Sequence, residues 1–319
     1  MLRTFLIYLS KAAWAQRLII GWRFAWRAAS RFVAGNSIQE ALAVVQNLNA
    51  RGINVTLDHL GENTTTRQEA CKATEDILTL LDEIQRASLQ ANVSVKLTQI
   101  GLALDLELCA QNLEQILTRA QQYHSFVRVD MEDSPYTEQT IQLYQRMRAS
   151  GYENTGLVIQ SYLYRSERDL GELSAAGARI RLVKGAYDEP RELAFPKKRD
   201  VDANFDRMAQ ELVEAAQAAG SLPVSTDGRI PPLAAIATHD PRRIRLVQDY
   251  ARKVGFPKTA LEFQMLYGIR RDLQEQCRSE GYPVRVYVPY GTHWYSYFMR
   301  RLAERPANVW FFLSNFLRK

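Results

Sequence analysis

Eight short β-rich runs alternate with helical stretches along this chain, and that alternation limits the fold more than any other feature. The runs lie at 55–60, 93–97, 126–130, 156–160, 179–184, 233–238, 262–266 and 284–288. Apolar residues recur at helical spacing over 66–90, 106–123, 137–150, 166–176, 201–219, 242–254, 270–279 and 293–304. Strands that alternate with helices are parallel strands joined by crossovers. Eight such units with no internal break predict a closed (β/α)8 barrel, with a doubly wound open sheet as the alternative. No Gly-x-Gly-x-x-Gly follows the first run and no Gly-x-x-x-x-Gly-Lys occurs, which disfavours a Rossmann dinucleotide site and a P-loop. The 319 residues divide into an N-terminal helical arm, 1–54, with room for two or three extra helices, and a barrel, 55–319.

The arm has an unusual composition. Its first 35 residues hold Arg3, Lys11, Arg17, Arg23, Arg27 and Arg31 with no acidic residue, interleaved with Phe5, Tyr8, Trp14, Trp22, Phe24, Trp26 and Phe32. Three readings fit: an arm packed on the body, a peripheral contact with an anionic bilayer, or a targeting segment. No apolar run reaches the ~20 residues that span a bilayer. Over the whole chain the net charge is +6, but beyond the arm basic and acidic residues are interspersed, which argues against nucleic acid. Cys71, Cys109 and Cys277 have no metal-ligand spacing, and His59, His124, His239 and His293 form no His-x-x-x-His pair, so no metal site is expected.

In a barrel of this kind the C-terminal ends of the strands line the active site. Those ends carry Asp58 with His59, Lys96, Asp130 with Met131, Gln160, Arg181 with Lys184, Thr238 with His239, Gln264 and Tyr287. Ionisable groups inside apolar runs are costly to bury alone, so a polar site at one mouth explains them better than scattered structural charges. Lys96 and Asp130 stand on neighbouring strands and are candidates for an ion pair. Alternation puts Arg179, Arg181 and Val183 on one face, expected inward. Lys184, Gly185 and Ala186 then form a small-residue turn with a cation, a plausible phosphate cradle. Near the C-terminus, Tyr297, Arg300, Arg301 and Glu304 fall at i, i+3, i+4 and i+7 and share a helix face. Adjacent guanidiniums repel, and each offers a fork of donors suited to a carboxylate.

Six segments in chain order resemble one family. They are 95–101, Val-Lys-Leu-Thr-Gln-Ile-Gly; 129–133, Val-Asp-Met-Glu-Asp; 181–187, Arg-Leu-Val-Lys-Gly-Ala-Tyr; 237–240, Ala-Thr-His-Asp; 262–268, Glu-Phe-Gln-Met-Leu-Tyr-Gly; and 287–291, Tyr-Val-Pro-Tyr-Gly, with 299–304, Met-Arg-Arg-Leu-Ala-Glu. Together they resemble proline dehydrogenase in its short, monofunctional bacterial form, from about residue 33 to the C-terminus. The resemblance implies a distorted (β/α)8 TIM barrel with extra N-terminal helices that holds FAD without a Rossmann fold. It implies oxidation of L-proline to Δ1-pyrroline-5-carboxylate by hydride transfer to FAD, with a membrane quinone taking the electrons. A pyrroline-5-carboxylate dehydrogenase is the implied partner, and the cytoplasmic face of the membrane the implied location.

The resemblance also implies residue roles. Arg300 and Arg301, with Lys96, would clamp the substrate carboxylate, and Tyr287 and Leu266 would wall its ring. Tyr297, on the last barrel helix near 292–304, would close the side near C4, and Glu304 would steady an arginine. Asp130 and Arg181 are carried over as catalytic. Met131, Gln160, Arg181, Lys184, Gly185, Ala186, Thr238 and His239 match positions that contact FAD. Position 188 is Asp where larger bifunctional relatives have Trp, and the 220–232 stretch is longer than the short form needs. A Thr-Arg-Lys motif for the flavin pyrophosphate is missing there, which leaves Lys184, then Lys197 and Lys198, as candidates. Three other readings stay open: a Schiff-base aldolase using Lys96, an oxidase of a close analogue such as hydroxyproline, and a non-catalytic membrane-associated barrel that rests on the arm.

Overall fold

The computed structural model describes residues 23–61 and 64–304, together with Leu6, Leu9 and Trp14. Helices α1 (Arg23–Ala29) and α2 (Ile38–Asn49) precede the first strand. Strands β1 (Asn54–His59), β2 (Ala91–Val95), β3 (Val127–Val129) and β4 (Thr155–Gln160) follow in order. Then come β5 (Arg179–Val183), β6 (Ala234–Ala237), β7 (Leu261–Leu266) and β8 (Val284–Tyr290). The helices after these strands are α3 (Arg67–Arg86), α4 (Leu106–Gln122), α5 (Ser134–Ala149), α6 (Ser166–Ala175), α7 (Lys198–Ala218), α8 (Pro241–Lys253), α9 (Arg271–Ser279) and α10 (Trp294–Glu304). Every strand pairs in parallel with its chain neighbours, and β1 pairs with β8, closing the barrel. The open-sheet alternative is thereby excluded.

Local chemistry sets the helix starts. Ser37 and Glu40 form a reciprocal capping box on α2, and Thr66 and Glu69 do the same on α3. Asp105 caps α4, and Asp240 with Pro241 opens α8.

The strands divide their side chains by alternation. Val55, Leu57, Val93, Val95, Val127, Val129, Ile180, Leu182, Phe263 and Met265 belong to the buried apolar core that also takes in the helix faces. The intervening positions turn inward and are polar: Thr56 and Asp58, Asn92 and Ser94, Arg128, Arg181, Glu262 and Gln264, Arg285 and Tyr287. Arg285 meets Glu262 at 2.9 Å with both side chains almost fully buried. Arg128, equally buried, donates to the Leu157 carbonyl at 3.1 Å and lies 4.9 Å over the Phe126 ring. The long 220–232 stretch explains itself here. Its Gly228 carbonyl accepts from Arg285 at 2.7 Å and its Arg229 carbonyl from the Asn92 amide at 2.7 Å, so it plugs the N-terminal mouth.

The opposite mouth departs from the simple alternating pattern. The outer wall beside β1 and β8 is taken by α2. Helix α10 instead packs against α1 and sends Tyr297, Arg300 and Arg301 into the cavity at the C-terminal mouth. A separate apolar cluster holds it there: Ala25, Ala29, Phe32 and Val33 pack with Trp294, Phe298 and Leu302. Trp26 and Trp294 have ring centroids 5.5 Å apart, and Trp294 and Phe298 6.0 Å. The Tyr295 hydroxyl donates to the Leu9 carbonyl at 3.0 Å. Ala25, Ala28, Ala29, Phe32 and Val33 therefore form a packed support for the last helix, while Trp14 is 62% exposed. The composition of the arm did not distinguish this support from a surface contact. The other aromatic and basic residues of the arm before Arg23 lie outside the described residues.

Gly268 shows how tightly the support is joined to the barrel. Its φ is +76°, and a Cβ there would lie 1.7 Å from the Arg31 carbonyl oxygen. Gly268→Ala must displace that backbone and adopt a strained conformation, so a loss of ~1–3 kcal/mol of stability is expected. Chemical denaturation checks it: an unchanged midpoint would show that residues 31–32 do not bear on the barrel.

Candidate active site

The site is built around a buried chain of alternating charges. Lys96, just past β2, donates to both oxygens of Asp58 on β1, at 2.9 and 2.8 Å. Its Nζ is 3.5 Å from the Tyr287 hydroxyl on β8. That hydroxyl donates to Asp130 Oδ2 at 2.8 Å. Asp130 Oδ1 accepts from Arg181 at 2.8 Å and from Ser94 at 3.0 Å. Arg181 continues through Nε to Gln264 at 2.5 Å, and Gln264 to Glu262 at 2.5 Å. The guanidinium also lies 5.4 Å over the Tyr287 ring. Burial first, then Asp130 and Asp58, pushes the Tyr287 phenol well above its usual range, so it stays a neutral donor.

Sequence spacing suggested Lys96 and Asp130 as an ion pair. The structure gives each a different strong partner, Asp58 and Arg181, and joins them through Tyr287. Spacing misses this because Tyr287 arrives from the last strand, where barrel closure puts it beside β1.

A cavity of 630 Å³ opens above this chain. Lys96, Asp130, Met131, Gln160, Arg181, Lys184, Gly185, Ala186, Thr238, His239, Leu266, Tyr287, Tyr297, Arg300 and Arg301 line it, as does Lys198, whereas Lys197 does not. Arg301 is 7% exposed and lies 5.0 Å over the Tyr297 ring. The Glu304 side chain lies outside the described residues. His239 accepts at Nε2 from the Leu266 backbone at 2.9 Å, so the proton sits on Nδ1 and the histidine holds Leu266 in the wall.

Gly185 has φ +111°, and a Cβ there would sit 2.3 Å from the Tyr162 ring. Its glycine is thus required by a packed tyrosine, which the small-residue turn could not reveal. Lys184 is held 2.5 Å from Asp202 and 3.4 Å from Asp240. Burial works against ionised Asp202, but Lys184 and Lys198 outweigh it and lower its pKa. Sequence reasoning assigned no role to Tyr187, Asp240 or Arg270, which also line the cavity. Asp58 and Gln264 were visible as polar strand ends, but nothing in their spacing showed which cation each would hold.

FAD fits this lining on one specific observation. The Gln160 side chain faces the cavity, its Nε2 donates weakly to the Met131 carbonyl at 3.4 Å, and its buried Oε1 has no partner among the described residues. A flavin edge offers the N–H that such an oxygen lacks. Lys184 and Lys198 are cations on the same cavity wall.

A second, more polar cavity of 1200 Å³ shares Lys96, Tyr187, Tyr297 and Arg300 with the first and is also lined by His59, Gln99 and Glu132. Glu132 accepts from the Thr98 backbone at 2.9 Å and Thr98 Oγ1 at 2.5 Å, fixing the loop after Lys96.

A parallel eight-stranded barrel that gathers buried cations and an ionic chain at its C-terminal mouth has the arrangement in which barrel enzymes carry their active sites. The family model for proline dehydrogenase matches residues 41–313. The chain is 41% identical over 291 residues to proline dehydrogenase 1 of Bacillus subtilis, covering 91% of each. It is 36% identical to proline dehydrogenase 2 of the same organism, covering 99% of each. Among solved structures, proline utilization A from Bdellovibrio bacteriovorus, inactivated by N-propargylglycine, superposes with a TM-score of 0.78 at 27% identity. This chain covers 32% of that longer protein, and 87% of its own length is matched. The chain belongs to the proline dehydrogenase family.

Burial holds the His59 imidazole below its ordinary pKa, outweighing Asp76 and Asp58. The unfolded chain therefore takes up that proton more readily, and stability should fall as pH drops through about 6.5, the unperturbed value. His59→Gln should flatten that part of the pH–stability curve; an unaltered slope in urea titrations across this range would refute the assignment.

Proposed function

We propose that this chain oxidises L-proline to Δ1-pyrroline-5-carboxylate, the opening step of proline catabolism, with FAD resident in the 630 Å³ cavity. The observation that carries the reading is the meeting, in one cavity, of an arginine pair from α10 with the buried Asp130–Arg181 pair. Family membership narrows the substrate to proline. FAD supplies the two-electron acceptor when bound.

The chain's own residues do the remainder. Arg300 and Arg301 take the carboxylate, in a pocket where water is displaced and charge-assisted contacts are strong. Tyr287 and Leu266 flank the ring, and Tyr297 closes the side near C4, which disfavours the hydroxyproline reading. The substrate must react as a neutral amine, because an ammonium has no lone pair to help expel hydride. Asp130 already accepts from Arg181, Ser94 and Tyr287, so its role is to orient these donors rather than to take a proton. Arg181 sets a fixed cation at the inner wall, where it would favour a bound group that takes on negative charge. The contact of Lys96 Nζ with both oxygens of Asp58 stabilises an ammonium, which does not attack a carbonyl, so the aldolase reading is not favoured.

A membrane quinone is the onward acceptor in this proposal, which places the protein peripherally at the inner face of the cell membrane. A pyrroline-5-carboxylate dehydrogenase consumes the product. No helix among the described residues is long and apolar enough to cross a bilayer.

The test is spectroscopic and kinetic. Protein supplemented with FAD should lose its yellow colour when L-proline is added anaerobically. Arg301→Met should weaken proline by ~2–4 kcal/mol, seen as a KM raised by about 30-fold or more. Persistent colour would reject the reaction, and an unmoved KM would reject the clamp.

A further inference from the structure

Asp58 has no assigned part in the reaction, yet its placement is specific. It is fully buried on β1, and both of its oxygens face one nitrogen, Lys96 Nζ, at 2.9 and 2.8 Å. Lys96 lines both cavities and so stands in the wall between them. Tyr187, Tyr297 and Arg300 share that wall; Asp130, Arg181, Tyr287 and Arg301 face the first cavity only, and His59 and Glu132 the second only. A lysine has a flexible four-carbon stem and a point charge, unlike the rigid fork of an arginine. In a wall open on two sides it has room to swing. Asp58 removes that freedom. It approaches from the adjacent strand, where its register partner is Ser94, two residues before Lys96. The tie also keeps Nζ within 3.5 Å of the Tyr287 hydroxyl, and so in line with Asp130.

We propose that Asp58 is a positioning residue: it fixes the Lys96 ammonium at the cavity wall so that, with Arg300 and Arg301, it receives the carboxylate of the substrate. This rests on the reading of the site as a proline site. The competing account is a structural ion pair that only ties β1 to β2. Both accounts expect lower stability when the pair is broken, so stability does not separate them. Ligand binding does. Removing a negative charge from the pocket should by itself tighten the binding of an anion; losing a positioned cation should weaken it. The two effects have opposite sign.

The experiment uses isothermal titration calorimetry with two non-oxidisable analogues of the substrate. Cyclopentanecarboxylate has the ring and the carboxylate, and cyclopentanecarboxamide has the same shape without the charge. Asp58→Asn should weaken cyclopentanecarboxylate by about tenfold or more while changing cyclopentanecarboxamide by less than about twofold. The uncharged pair Asp58→Asn with Lys96→Met leaves no buried lone charge, so it keeps a foldable protein in hand if Asp58→Asn does not fold. It should bind cyclopentanecarboxylate as weakly as the single variant. Equal or tighter binding of cyclopentanecarboxylate in either variant overturns the proposal, as does an equal loss for both ligands. Neither ligand is turned over, so the result stands apart from the reaction. A wild-type enzyme that binds cyclopentanecarboxylate but is not reduced by L-proline would sink the proline reading and leave the role of Asp58 to the variants.

Discussion

A charge inside a protein must meet its opposite, and this requirement organises the centre of the barrel. Asp58, Lys96, Asp130, Arg181, Glu262 and Arg285 are all nearly or fully buried, and each is paired across strands. An unpaired carboxylate or ammonium at such depth would cost several kcal/mol. Well-packed apolar residues in place of a buried ion pair are often no less stable, so the Asp58–Lys96 and Asp130–Arg181 pairs are accounted for by the site, and Arg285 with Glu262 by the plug at the N-terminal mouth. They give Arg181 one orientation, clamped between Asp130 and Gln264, and Lys96 one orientation, clamped by Asp58. Tyr287, kept neutral by burial, joins the two pairs without adding charge.

Above this floor, the ceiling comes from a helix that has left the barrel wall. Helix α10 bears Tyr297, Arg300 and Arg301, and its other side packs on α1 and the turn after it. The helix that fills the wall in its place is α2. The arm before the barrel is therefore divided in use: α2 completes the wall and α1 backs the lid. The close approach of Arg31 to Gly268 joins that support to the loop after β7. The geometry of the arginine pair thus depends on residues more than 260 positions earlier in the chain, as the contact of Tyr295 with Leu9, 286 positions apart, also shows.

Much of this was legible in the residues. The eight β-rich runs match the eight strands to within two residues at each end, because alternating apolar and turn signals are local properties. The polar strand ends identified the mouth, since only a site explains so many ionisable groups at equivalent positions. Partner choice was harder to read. Spacing offered Asp130 as the partner of Lys96, whose partner is Asp58, and the small-residue turn at Gly185 gave no sign that Tyr162 packs against it. The 220–232 stretch looked like surplus and is a plug whose carbonyls satisfy Arg285 and Asn92.

By itself the amino-acid order determined the parallel barrel, the inward polar face of each strand and the helix face that presents two arginines. All of these follow from periods of 2 and about 3.6 residues, which a chain carries wherever it goes. Closure determined the rest. When β8 meets β1, Tyr287 is brought beside Lys96, and the helix after β8 finds its wall position already filled by α2. The arginines then face the barrel mouth rather than solvent, because that position is set by packing between distant segments and by no local pattern.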